Sequence, residues 1–175
     1  MASVYFIGIG GIGMSALARY YKSQGLKVAG SDLQESKLLK ELRKEGITSH
    51  LGHSAKHIGR RVDLVIYNQA IPEDNRELKE ARKRGIPLLS YPEAVGELTR
   101  KYATVAVAGS HGKSTTTTLA ALTLVNAGLD PTVIVGTRVK EFGNTNFRIG
   151  SSKSTLGFRK PSGFAKPAPW LVLEA

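Results

Sequence analysis

Lys113 and Ser114 sit in the run GSHGKST, residues 109–115, between the apolar stretch VAVA and a hydroxyl-rich stretch with helical spacing. Each residue type there suits a polyphosphate. Gly109 and Gly112 let successive backbone N–H groups curl around an anion. The Lys113 ammonium can reach β- and γ-phosphates, and the Ser114 hydroxyl can ligate Mg²⁺. The lysine's counter-ion would then be the nucleotide. Ser110, His111 and Thr115 complete the loop as ATP-binding candidates, His111 through its backbone rather than as an acid or base. The longer pattern G-x-x-x-x-G-K-[ST] needs glycine where this chain has Val107, so the shorter form G-x-x-G-K-S carries the reading. The hydroxyl run from Ser114 to Thr118 has poor intrinsic helix propensity, which suggests that some of these groups face phosphate or metal.

A second glycine-rich turn lies near the start, in VYFIGIGGIGMSALA. Gly8, Gly10 and Gly13 fit G-x-G-x-x-G after an apolar strand, and Gly11 adds a fourth glycine. Such a turn admits close backbone approach to a diphosphate at a helix N-terminus. Asp32 ends the next strand, where a carboxylate can accept hydrogen bonds from a ribose. NAD and a UDP-linked ligand exploit the same physics, and both readings stay open on these residues.

The elements that must hold these turns follow from hydrophobic period. Strands are expected at 4–9, 27–31, 47–51, 63–67 and 87–90, with helices at 13–24, 35–44, 72–84 and from Pro92 to Leu98. This βαβ alternation predicts an α/β, Rossmann-like doubly wound parallel sheet over residues 1–98. After the hinge TRKYA, residues 99–175 begin a second, ATPase-like α/β unit: strand 103–108, helix 113–127, strand 132–135, then loop over 136–169 and a closing strand in WLVLEA. Three strands and one helix leave apolar faces uncovered, so a truncated chain is expected.

The 175 residues carry a formal charge of +11 and no cysteine, which excludes disulfides and thiolate metal sites and leans to a reducing cytoplasm. No apolar run approaches the roughly 18 residues of a membrane span. The start runs straight into a motif without a basic n-region, so no signal peptide is expected. Many basic residues alternate with Glu77 and Glu80 in RELKEARKRG, as on a solvated helix face. Others fall at Arg148, Lys153, Arg159, Lys160 and Lys166, without interleaved aromatics. The charge therefore favours anionic small ligands over nucleic acid. His50, His53 and His57 share no evident common face and read as structural, His53 supporting the first unit, rather than as a metal site.

Together GIGGIGMSALA, GSD at 30–32, GHSA at 52–55, AGSHGKSTTTT and the closing LVLEA resemble the Mur ligases of peptidoglycan synthesis across essentially the whole chain. The resemblance implies a Rossmann-like UDP-sugar domain, followed by the opening part of a central ATPase domain. It implies ATP and Mg²⁺ as cofactors, with UDP-N-acetylmuramate and L-alanine as substrates. ATP would phosphorylate the lactyl carboxylate, and the alanine amine would attack the acyl phosphate. Lys113 would be the catalytic residue, offsetting charge on the moving phosphoryl group. Gly8, Gly10, Gly11, Gly13, Met14 and Asp32 carry over as UDP-sugar contacts, with Asn68 and Ala70 in the NQAI loop. Asn146 joins that set from FGNTNFRIG, which resembles a family loop beside the ATP site, and Glu174 carries over as a magnesium ligand with Ser114. The segment SSKSTLGFRKPSGFAKPAP is longer than the family's usual link before its EA strand. Three alternatives remain: a ligase that attaches a tripeptide in muramyl-peptide recycling, an NAD-dependent oxidoreductase, and a non-catalytic UDP-sugar-binding module.

Overall fold

The computed structural model describes residues 2–151 and 169–175. It divides into two compact units, Met1–Val95 and Gly96–Ala175.

The first unit is a five-stranded parallel sheet. Its strands are β1 (Ser3–Ile7), β2 (Lys27–Asp32), β3 (Thr48–Leu51), β4 (Leu64–Tyr67) and β5 (Leu88–Ser90), in the order β3-β2-β1-β4-β5. Strand β1 is central because its sequence can be buried on both faces: Val4, Tyr5, Phe6 and Ile7 are all at most 2% exposed. The chain leaves β1 for β2 on one side and later reaches β4 on the other. The strand order thus reverses at the carboxyl end of β1, the place where open α/β sheets leave a crevice.

Helix α1 (Ile12–Ser23) buries Ala16, Leu17, Ala18 and Tyr20. Each large apolar side chain so buried contributes roughly 1.5–3 kcal/mol. Helix α2 (Lys37–Lys44) starts on Ser36, whose hydroxyl accepts from Leu39 N at 3.1 Å, and buries Leu39 and Leu42. Helix α3 (Arg76–Lys83) starts later than the expected residue 72. The physical reason is Asn75, whose side-chain oxygen accepts from the amides of Glu77 and Leu78 at 2.8 and 3.2 Å and fixes the boundary. Helix α4 (Tyr91–Thr99) follows β5, and the division between units falls within it.

The second unit holds β6 (Ala103–Val107), α5 (Lys113–Asn126), β7 (Thr132–Val139), β8 (Thr145–Arg148) and β9 (Trp170–Glu174). The sheet order is β6-β9-β7-β8; β9 is parallel to both neighbours, and β8 pairs antiparallel with β7. The last strand in sequence is therefore an inner strand, with Leu171, Val172 and Leu173 buried. Val172 joins Ala121 of α5 and Val133, Val135 and Val139 of β7 in one apolar cluster.

The expectation of loop from residue 136 is corrected here. Strand β7 runs on to Val139, and β8 returns along it after a short turn. Arg148 fastens that return by donating to Pro131 O at 2.7 Å and to the Asp130 carboxylate. Burial alone would raise the Asp130 carboxyl, but Arg148 and the Ser151 amide more than offset it and hold it below the ordinary range. The remainder of the expected loop, residues 152–168, lies outside the described residues.

Candidate functional site

In the first unit, a crevice of about 320 Å³ opens at the carboxyl ends of the strands. Gly8, Gly10, Gly11, Asp32, Asn68 and Ala70 line it, six of the residues singled out from sequence. Asp32 closes onto the glycine turn: its Oδ2 accepts from Gly10 N at 2.8 Å. A Cβ on residue 10 would lie 2.8 Å from that same oxygen, so only glycine allows the approach. Asn68 stays tied to its own loop, accepting from Ala70 N at 2.9 Å.

Gly13 and Met14 play different parts. A Cβ at position 13 would lie 2.6 Å from the Tyr91 hydroxyl, so this glycine serves close packing of α1. Met14 is 2% exposed and belongs to the core. Asn146 lies on β8 in the second unit, where it is 1% exposed.

Beneath the crevice is a group that the sequence reading placed wrongly. Glu77, expected on a solvated helix face, is fully buried. Its Oε1 accepts from Tyr5 Oη at 3.0 Å and Ser54 N at 3.2 Å and lies 3.0 Å from His57 Nδ1. Its Oε2 accepts from Ser31 Oγ at 2.5 Å and lies 3.0 Å from His53 Nδ1. A buried carboxylate is tolerated only with such satisfaction. The helix arithmetic contained a signal for it, because Glu77, Leu78 and Ala81 share one stripe of α3 and all three are buried. Burial, with the Glu77 charge beside it, pushes the Tyr5 hydroxyl well above the ordinary phenol range, so it remains a donor.

The three histidines are closer together than their spacing suggested. His50 stacks on His57 with ring centroids 4.4 Å apart, while His53 and His57 both face Glu77. Desolvation and the neighbouring His57 hold the His50 ring below the ordinary histidine range. Among the described residues no group of three His, Cys, Asp or Glu side chains is arranged to hold a metal ion.

In the second unit, the turn between β6 and α5 is open. Gly112 takes a left-handed φ of 74° where the helix begins, and no side chain caps that end. Lys113 is partly buried and donates to Gly109 O at 2.8 Å. Ser114 Oγ donates to Glu174 Oε2 at 2.8 Å, and Gly136 N donates to the same oxygen at 2.7 Å. The pairing of Val107 with Glu174 puts this carboxylate level with the end of β6. A hydroxyl and a carboxylate in contact form a hard oxygen pair of the kind Mg²⁺ takes. Next to them is a cavity of about 650 Å³, lined by Ser114, Thr115, Thr118, Gly136, Arg138 and Glu141 among others. Of the hydroxyl run, Thr117 is buried, and Thr118, which lines the cavity, bonds back to Ser114 O at 2.7 Å.

Two α/β units, each with a strand, a glycine turn and a helix, and each with an acidic side chain aimed at the turn, define the class. The chain belongs to the Mur ligase family: the profile of the Mur ligase family, catalytic domain, matches residues 3–103. It is 47% identical over 149 residues to a UDP-N-acetylmuramate--L-alanine ligase of Anaeromyxobacter sp. (strain Fw109-5), covering 85% of this chain and 32% of that protein. Its structure is similar to a UDP-N-acetylmuramate-alanine ligase from Thermotoga maritima, with a TM-score of 0.83 and 33% identity, over 99% of this chain and 37% of that one. It is also similar to a UDP-N-acetylmuramate:L-alanyl-gamma-D-glutamyl-meso-diaminopimelate ligase from Neisseria meningitides, with a TM-score of 0.83 and 27% identity, over 100% of this chain and 52% of that one. The chain thus spans about a third of the length of the curated relatives it matches. Among the described residues, no helix is long and apolar enough to cross a membrane.

Proposed function

We propose that this chain carries the UDP-sugar unit and the phosphate-loop part of a cytoplasmic, ATP-dependent ligase that joins L-alanine to the lactyl carboxylate of UDP-N-acetylmuramate. The carrying observation is the Ser114–Glu174 contact beside Lys113, in the same chain as the Asp32 crevice. An oxidoreductase has no use for that second arrangement.

On this reading residues 1–98 bind the UDP-sugar and residues 99–175 open the ATP domain. Gly8, Gly10 and Gly11 leave the crevice free of side chains so that the diphosphate can approach the backbone closely, and Asp32 accepts from the ribose. Asn68 and Ala70 form one wall of the crevice. In the second unit Lys113 exchanges the Gly109 carbonyl for ATP phosphate oxygens. Ser114 and Glu174 would hold Mg²⁺, which when bound offsets polyphosphate charge. Lys113 then stabilises charge on the phosphoryl group as it passes to the lactyl carboxylate, and the alanine amine displaces phosphate from the acyl phosphate. Chemistry of this kind rests on positioning and charge neutralisation rather than on a protein nucleophile.

The tripeptide-adding alternative is supported by the Neisseria likeness, but the higher identity to alanine-adding relatives favours L-alanine. Calorimetric titration of the chain with UDP-N-acetylmuramate and with NADH tests the assignment. The UDP-sugar is expected to bind more tightly; tighter binding of NADH discards the ligase reading.

A further inference from the structure

Glu77 has more partners than packing of α3 requires, and one of them, His53, lines the crevice. Three of them can only donate or are donating: the Tyr5 hydroxyl, the Ser31 hydroxyl and the Ser54 amide. Ser31 Oγ is also 3.0 Å from His53 Nδ1, but its one hydrogen goes to Glu77 Oε2, so the Nδ1 atom 3.0 Å from that acceptor carries the hydrogen. The other nitrogen of that ring, Nε2, then holds a lone pair. It is buried and has no hydrogen-bond partner. The His53 side chain is 9% exposed, yet it lines the crevice with Gly8, Gly10 and Asp32. A buried acceptor without a donor is destabilising, a penalty that a ligand donor would remove.

We infer that Glu77 is a positioning residue of the crevice, acting through His53: it fixes the Nδ1–H tautomer and so presents Nε2 as an acceptor to a hydroxyl or N–H donor of the bound nucleotide. Asp32 and His53 then form two acceptors on one wall, matched to the donor-bearing uridine rather than to the anionic diphosphate. This assignment rests on the UDP-sugar reading above for the identity of the ligand, but not for the tautomer.

Two measurements on the 175-residue chain test it. In the ligand-free protein, ¹⁵N NMR of the histidine rings reports the tautomer directly. His53 is expected as Nδ1–H in the wild type and shifted to Nε2–H in Glu77→Gln, where the new amide can face the ring with its NH₂. In the second, UDP affinity is expected to fall at least about tenfold in Glu77→Gln, the loss of one hydrogen bond to a buried group. His53→Gln, which can keep an acceptor near the Nε2 position, is expected to retain most of the affinity and to make it insensitive to Glu77→Gln. A purely structural Glu77 would move neither the tautomer nor that coupling.

A wild-type His53 already in the Nε2–H form, or additive losses in the double variant, overturns the inference. If Glu77→Gln does not fold, the wild-type tautomer and the His53→Gln affinity still decide it. If the wild-type chain binds no UDP, the UDP-sugar reading fails and the ligand half of the inference with it. The role of Glu77 in fixing the ring is then judged by the NMR result alone.

Discussion

The two glycine turns solve the same problem with opposite means. The first is finished before any ligand arrives: Gly10 N is held by Asp32, Gly13 is packed under Tyr91, and a buried polar network supports the floor. The second is open and charged, and its candidate side chains rest on protein partners, Lys113 on a loop carbonyl and Ser114 on Glu174. A preformed crevice suits recognition of a whole nucleotide by shape. Side chains on exchangeable partners suit a polyphosphate whose charge must be met and moved.

The sharpest way to break this contrast is Lys113→Ala. Charged hydrogen bonds are worth about 1.5–3 kcal/mol each, so ATP affinity should fall about 100-fold while UDP-N-acetylmuramate affinity, measured by calorimetry, stays unchanged. Equal loss of both would show that the turns are not separate. Gly10→Ala is the converse, because its methyl collides with Asp32; roughly a tenfold loss for the UDP-sugar is expected with ATP binding spared. Glu174→Gln should weaken the Mg²⁺ dependence of ATP binding several-fold, read as a flatter titration against added Mg²⁺.

Smaller effects probe the support of the first turn. Asn75→Ala removes the cap that starts α3 and should cost about 1 kcal/mol in chemical denaturation. The least effect is one of pH. His50 prefers its neutral form in the fold, so the unfolded chain binds more protons between the two pKa values. The resulting stability is complete above roughly pH 6.5 and is lost as pH falls through the lowered folded value. His50→Gln should flatten that acid limb of a thermal-unfolding series; an unchanged limb would assign it to other groups.

The parallel sheet of the first unit was legible because β1 and β4 are short apolar runs between helices of clear period. The second turn was legible because lysine after glycine has few structural uses. Strand β8 was not, since TNFR has no alternation and exists by pairing with β7. Glu77 was missed for a related reason: charge alternation along RELKEARK resembles a wet face, and only the stripe shared with Leu78 and Ala81 argues otherwise. Asn146 and Met14 were legible as motif members but not as buried side chains, because a motif preserves residue identity without recording which way it points.

The position of β9 governs how the second unit can assemble. Residues 170–174 are made after both β6 and β7, yet they wedge between these strands, which do not otherwise pair. Until they arrive, two strand edges stand unsatisfied and prone to intermolecular association. Closure must also await a contact distant in sequence, which slows folding. The residue that would grip the metal is thus carried in by the same step that joins β6 to β7.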